Sequence, residues 1–340
     1  MTLRKKEKQG LGDFFISRRR TKRSFLDDVN EIIDWRPIAR FLKLKIKRKA
    51  NVVGSPAYPE MFMFKILLLQ KWYNLSDEAV EFAICDRLSF VRFLDMSIED
   101  EIPDSTTICR FRNGLIILNI YEKLLFLLNE QLEEKQLLVR NGSIVDASVI
   151  GSSRRPRKTI DTEIVSEDRN EDVPKYEVSY SDDTGAAWLK KAGKFHYGFK
   201  VHMGTDAECG FILGGIMTPA NYSDTGQFTD LVNKLNLPDN APVFADKGYT
   251  SQKNRTHLID NNLQDGIMFR NQKNRKLSEL EKMINRGISS VRYIVERSFG
   301  TLKQHFRFDR SRYVGIEKVE AEFNLVAMAF NIKKAVRMVC

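Results

Sequence analysis

No apolar run in this chain of 340 residues approaches the eighteen or so that a membrane-spanning helix requires, which argues against an integral helical membrane protein. The first residues, Met-Thr-Leu-Arg-Lys-Lys-Glu-Lys, lack an apolar stretch of secretory type. Cysteine is scarce, and Cys85, Cys109, Cys209 and Cys340 show no CxxC spacing. That excludes a zinc knuckle or a disulfide framework and fits reduced, structural thiols of a cytosolic protein. The four histidines (His196, His202, His257 and His305) lack ligand partners at metal-binding spacing, which excludes a histidine metal centre.

What is present is charge, unevenly spread. Residues 1–50 hold 16 Lys/Arg against 6 Asp/Glu, a surplus of 10 that equals the net charge of the whole chain. The remainder balances to zero but is itself segregated. Residues 270–312 carry 12 basic and 4 acidic side chains, and 161–183 carry 9 acidic and 2 basic. Two basic blocks far apart in sequence suggest two contacts with a polyanion. Taken singly, Arg18-Arg-Arg20 and Lys43–Lys49 read equally well as solvated faces.

Residues 1–138 read as helices. Pro59–Tyr73 opens with proline and is almost wholly apolar, so a buried helix is expected there. Ser76 or Asp77 can cap the next helix. Asp104-Ser105 caps a third, with Ile108, Phe111, Leu115 and Leu118 as its apolar stripe and Thr106, Thr107, Arg110 and Asn113 opposite. A capped helix of that kind suits a DNA groove, and also an ordinary surface.

Beyond residue 138 the pattern turns to strands, expected at 143–150, 196–203, 211–217, 241–246 and 266–270. Helices are expected at 225–235, 252–262, around Glu296, and at 321–336. Three meandering strands, then helix, strand, helix, strand and helix, is the element order of a ribonuclease-H-like fold. The expected class is therefore α+β: a helical, basic DNA-binding domain at 1–138 and a ribonuclease-H-like catalytic domain at 139–340 with a mixed five-stranded sheet. Residues 151–194 lack a hydrophobic period and read as a polar insertion after the first strand.

Three carboxylates stand out on this frame. Asp146 and Asp246 each close a short apolar run that reads as a strand. Glu296 lies in the register Arg292-x3-Glu296-x6-Lys303, whose steps of four and eleven return within roughly 40° on a helix. Two strand-end carboxylates and a helix carboxylate can hold a pair of divalent metals for phosphoryl transfer. The flanking cations suit phosphate oxygens. Each carboxylate also has an ordinary reading: Asp146 ends a strand, Asp246 starts a turn, and Glu296 pairs with Arg292 at i,i+4.

Four segments resemble the bacterial DDE insertion-sequence transposases, specifically the insertion-sequence-five-like group. They are Pro103-Asp-Ser-Thr-Thr-Ile-Cys-Arg-Phe-Arg112; Val145-Asp146-Ala-Ser; Tyr197-Gly-Phe-Lys-Val-His202 with Thr218-Pro-Ala-Asn221; and Ala245-Asp246-Lys-Gly-Tyr249 with the Arg292/Glu296/Lys303 register. The resemblance implies that Asp146, Asp246 and Glu296 are catalytic and metal-binding. Asp146 would bridge two magnesium (or manganese) ions about 4 Å apart. It implies DNA contacts at Arg292 and Lys303, to which Arg110, Thr106, Lys247 and Arg297 are added as candidates. The implied activity is cleavage at the element's ends and joining of the 3′ ends to target DNA. Terminal inverted repeats, target DNA and a second or further copy in a synaptic complex are the implied partners, in a bacterial cytoplasm at the nucleoid. A nuclease of the same fold, or an inactive or host-adopted DNA-binding protein, are the alternatives. The related signature has a tyrosine three residues before the arginine, where this chain has Ser289, while Tyr293 lies on another face of the helix.

Overall fold

The structure, a computed structural model, describes residues 23–47, 56–156, 182–191, 193–271 and 275–339, with the backbone of two short strands at 160–162 and 176–178. The run Arg18-Arg-Arg20, the end of Lys43–Lys49, Cys340 and much of the 151–194 segment lie outside the described residues.

Among the described residues seven helices come first: α1 (Phe25–Ile32), α2 (Trp35–Lys45), α3 (Glu60–Tyr73), α4 (Asp77–Asp86), α5 (Leu88–Leu94), α6 (Ser105–Ile117) and α7 (Tyr121–Glu134). Some of their starts are set by side-chain acceptors for otherwise unpaired N–H groups. Ser76 accepts from the Ala79 amide at 3.1 Å, and Asp104 from the Thr107 amide at 2.6 Å. Helix α3 is buried almost all round, as its composition requires. Its buried Lys71 donates to Glu322 at 2.6 Å, and its Trp72 indole donates to the Ala329 carbonyl at 2.9 Å. On α6 the apolar stripe is shorter than expected. Ile108 and Leu115 are buried, but Leu118 is exposed because it is already the C-cap. The buried place on that helix goes to Arg112, which donates to both oxygens of Asp77 at 2.7 and 2.6 Å.

The sheet follows: β1 (Ser143–Gly151), β2 (Ile160–Thr162), β3 (Tyr176–Val178), β4 (Ala187–Lys191), β5 (Lys194–Asp206) and β6 (Ile212–Pro219). Then come α8 (Asp224–Leu235), β7 (Pro242–Ala245), α9 (Gln252–Asp260), β8 (Gln264–Ile267), α10 (Glu279–His305) and α11 (Ile316–Val339). Strands β6, β5 and β1 are antiparallel neighbours, and β1, β7 and β8 are parallel neighbours. That order, with its switch from antiparallel to parallel at β1, is ribonuclease-H-like, and the class is α+β.

The main sheet has six strands where five were expected. The extra one, β4, pairs with the first residues of β5 and falls inside the stretch read as a polar insertion. Its Trp188-Leu-Lys-Lys is short, exposed and on an edge, so no hydrophobic run announces it. Strands β2 and β3 form a separate two-stranded sheet.

Helix α11 closes the core. It packs on β6 and on α7, α3 and α1, with buried residues on every face. A hydrogen-bonded knot pins it there. The Asn331 amide donates to the Ile212 carbonyl and to Asn129 Oδ1, both at 2.8 Å, and Asn331 Oδ1 accepts from the Ile212 amide at 2.9 Å. Each polar group buried at this seam thus has a partner, as buried polar atoms require.

Candidate active site

Val145 pairs with Ala245 as the last rung of the parallel ladder between β1 and β7. Asp146 and Asp246 follow these two residues, so the register alone sets their carboxylates side by side. They stand at the carboxyl end of β7, the edge where open α/β sheets bind ligands. Asp146 closes the apolar run Ile144-Val145 but not the strand: β1 runs on to Gly151, close to the expected 143–150, paired with β5. Strand β7 ends instead, and Asp246 caps a turn of 3-10 helix at Lys247–Tyr249 by accepting from the Lys247 amide at 2.7 Å. A ladder that splits in this way opens a cleft.

Helix α10 packs against β1 and β7 and brings the third carboxylate to the cleft. The Arg292 guanidinium lies among all three. Its Nη2 is 3.4 Å from Asp146 Oδ2 and 3.8 Å from Glu296 Oε1, and its Nη1 is 3.5 Å from Asp246 Oδ1. Exposure rises outward, from 14% for the Arg292 side chain through 21% for Asp146 and 35% for Asp246 to 61% for Glu296. Arg292 Nε is buried without a hydrogen-bond partner. Burial pushes the Asp146 carboxyl above its ordinary pKa, and the charges of Asp246 and Glu296 add to the rise against Arg292.

The donor set is three carboxylates with no sulfur and no imidazole, which suits a hard divalent cation. As the side chains lie, no three acidic, histidine or cysteine groups among the described residues stand close enough to share an ion. The point on which they converge is held by the guanidinium. The chemistry of the donor set fits a hard divalent metal, while its present arrangement is turned to Arg292.

The other expected contacts are scattered. Lys303 shares a helix face with Glu296 but stands seven residues, about 10 Å, further along. Burial and the neighbouring Lys191 hold its amine below the usual lysine range. Lys247 is exposed beside Asp246, and Arg297 is exposed on another side of α10. Arg110 and Thr106 are exposed on α6, and the Thr106 hydroxyl donates to the capping Asp104 at 2.9 Å.

Several groups near the site had no role assigned from sequence. Tyr249 is buried with its hydroxyl unpartnered. Burial, reinforced by Asp146, Asp224 and Asp246, pushes that phenol well above its ordinary pKa. Its place two residues after Lys247 was the available signal. Lys191 comes from the unread strand β4. His202 is buried opposite Ala147, within reach of the Thr218 hydroxyl at 3.1 Å, and burial brings its pKa down to about 4. It is therefore neutral near pH 7 and structural. Lys200 donates to Asp224 at 2.8 Å and to the Tyr222 carbonyl at 2.6 Å, tying β5 to the start of α8. A cavity of about 590 Å³ opens beside Asp246, lined by Lys247, Met268, Phe269, Arg270 and Asn285 among others.

Residues 139–332 match the family model described as Transposase DDE domain, and residues 14–114 match one described as Transposase domain (DUF772). Over 229 residues the chain is 40% identical to the transposase for insertion sequence element IS1106 of Neisseria meningitidis serogroup B, covering 66% of this chain and 76% of that protein. Among solved structures, a piggyBac transposase synaptic complex with hairpin DNA aligns over 92% of this chain and 72% of its own, at 12% identity and a TM-score of 0.42. A Mos1 transposase paired-end complex aligns over 80% and 84%, at 9% identity and a TM-score of 0.22. Both likenesses are loose, and the fold assignment stands on the strand order.

Proposed function

Because the chain belongs to the DDE transposases, a family of enzymes that act on DNA with divalent metal, we propose that Asp146, Asp246 and Glu296 are its catalytic triad. We further propose that it cuts the ends of its own insertion sequence and joins the 3′ ends to target DNA. The observation that carries this reading is the convergence of the three carboxylates on one buried arginine at the split between β1 and β7. Asp146, the least exposed of the three, would hold metal together with Asp246 and Glu296. Two magnesium ions, or manganese, would there supply Lewis-acid activation of the attacking oxygen and neutralise charge on the scissile phosphate. Arg292, displaced from the carboxylates, is then free to pair with that phosphate. Lys303, with Lys191 near it, and Lys247 beside Asp246 would supply further cations to the bound strand. The exposed face of α6, with Arg110 and Thr106, belongs to end recognition, within a DNA-binding part at 1–138 and a catalytic part at 139–340. A homodimer or larger synaptic assembly would hold both ends, at the nucleoid of a bacterial cell. The motifs favour the insertion-sequence-five-like group within the family.

The test is a donor plasmid carrying the gene with its flanking DNA, a target plasmid, and purified full-length chain. Magnesium or manganese is expected to give cleaved donor and joined product, calcium to give binding without turnover, and chelator to abolish both products. Cleavage without joined product would reduce the protein to a nuclease of this fold. Full activity in chelator would end the metal mechanism.

A further inference from the structure

Helix α10 has a second worked face. Arg292, Glu296 and Lys303 share one face, while at 100° per residue Arg297, Thr301 and His305 fall roughly on the opposite side and Tyr293 on the flank between. Those residues form one wall of a groove of about 310 Å³, and α11 forms the other with Lys333, Lys334 and Arg337. The floor is aromatic: Lys333 Nζ stands 5.7 Å from the Phe306 ring and Lys334 Nζ 5.5 Å from Phe330. Among the described residues, none of Arg297, Lys333, Lys334 and Arg337 makes an ion pair, although ion pairs are common elsewhere in the molecule. One carboxylate, Glu208, lines the groove against these four cations. Burial holds both amines below the usual lysine range, with Arg337 adding to the effect at Lys333, and with Asp206 opposing it and Arg297 adding to it at Lys334. Among the described residues the four cations face only Glu208 in the groove lining and Asp206 near Lys334, and an anion supplied from outside relieves the remaining repulsion.

We propose that the groove between α10 and α11 is a second DNA-binding site, in which Arg297, Lys333, Lys334 and Arg337 hold phosphates of a DNA segment distinct from the one in the catalytic cleft. The proposal rests on the transposase reading only for the identity of the polyanion. One helix would then carry scissile DNA on one face and a second segment on the other. A strand-transfer enzyme must hold two segments at once.

The experiment uses full-length protein in chelator, so that nothing is cut, with a fluorescent duplex at several salt concentrations. Because each phosphate contact contributes about 0.9 to the log–log salt slope, Lys333→Gln with Lys334→Gln should lower the slope by about 2 and the affinity at low salt by about tenfold. Arg337→Gln alone, at the exposed rim where packing is not at stake, should lower the slope by about 1. Unchanged slopes in folded variants would overturn the proposal. Amine acetylation of wild-type protein read by mass spectrometry covers the case in which the lysine variants fail to fold. Duplex should shield Lys333 and Lys334, and equal labelling with and without duplex overturns the site. Better shielding by polyglutamate than by duplex would overturn it in favour of an acidic protein segment. Cleavage by wild type beside normal DNA binding by the groove variants defeats the groove alone. Shielded lysines in a wild type that never cuts defeat the catalytic reading alone.

Discussion

Arg292 gives the site two states that single substitutions can separate. With the guanidinium among Asp146, Asp246 and Glu296, one positive charge offsets part of the three carboxylates' charge. Divalent metal must displace that charge before it can bind. Replacing Arg292 with glutamine should therefore tighten manganese binding, by at least about threefold if the lost competition is worth as little as a surface ion pair. Cleavage should fall at the same time, since phosphate pairing is lost. Manganese titration followed by electron paramagnetic resonance reads the first effect, and weaker binding in the variant would remove the competition from the account. Asp146→Ala, Asp246→Ala and Glu296→Ala should each lower cleavage by about a thousandfold or more, because each removes a ligand the transition state needs. Duplex binding in chelator should stay near wild type. Near-normal cleavage by any one variant would take that residue out of the triad.

At the scale of elements, the helix starts at Ser76 and Asp104 and the apolar runs of β1, β5 and β6 were legible because they are local. So was the shared face of Arg292 and Glu296, which four residues of helix fix on their own. Where that face points was not legible. The inward aim of Arg292 depends on α10 lying across β1 and β7, and the side-by-side placement of Asp146 and Asp246 depends on the rung Val145–Ala245, a pairing a hundred residues apart. Strand β4 escaped notice because an exposed edge strand buries too little to show a period. Arg112 is a similar case. It falls on the Ile108–Leu115 face of α6, where a cation is not expected, and Asp77 on α4 holds it in the interior, with Gln70 donating to the same carboxylate at 2.7 Å. Removing one partner of such a pair leaves the other charge largely buried. Arg112→Met should thus cost about 3 kcal/mol, while Arg112→Met with Asp77→Leu recovers much of it. Urea unfolding of both variants and the single Asp77→Leu closes the cycle. Additive losses would mean that the pair is not coupled.

For the whole molecule, one consequence of the packing overrides what the charge distribution suggests. The basic excess before residue 50 invites the view that 1–138 is a self-sufficient DNA-binding unit. The core does not divide there. Helix α3 buries Lys71 against Glu322 of α11 and hangs its Trp72 on the Ala329 carbonyl, and α7 reaches β6 through Asn129. Cutting at 138 removes α11 and β6. The face that α3 buried would then meet water, Lys71 would lose its counterion, and Asn129 would lose both Ile212 and Asn331. Each fully buried aliphatic or aromatic side chain returned to water costs about 1.5–3 kcal/mol, and several are returned, so the loss exceeds the typical net stability of a domain of 5–15 kcal/mol. The isolated 1–138 fragment should accordingly lack a cooperative thermal transition by circular dichroism and show exposed apolar surface by dye binding. A second fragment, 1–138 joined by a flexible linker to 312–339, restores Glu322, Ala329 and Asn331 and should regain part of the transition. A sharp, reversible melt from 1–138 alone would show that the N-terminal helices fold without α11, and that the seam at Lys71 and Asn129 is a docking contact between independent units.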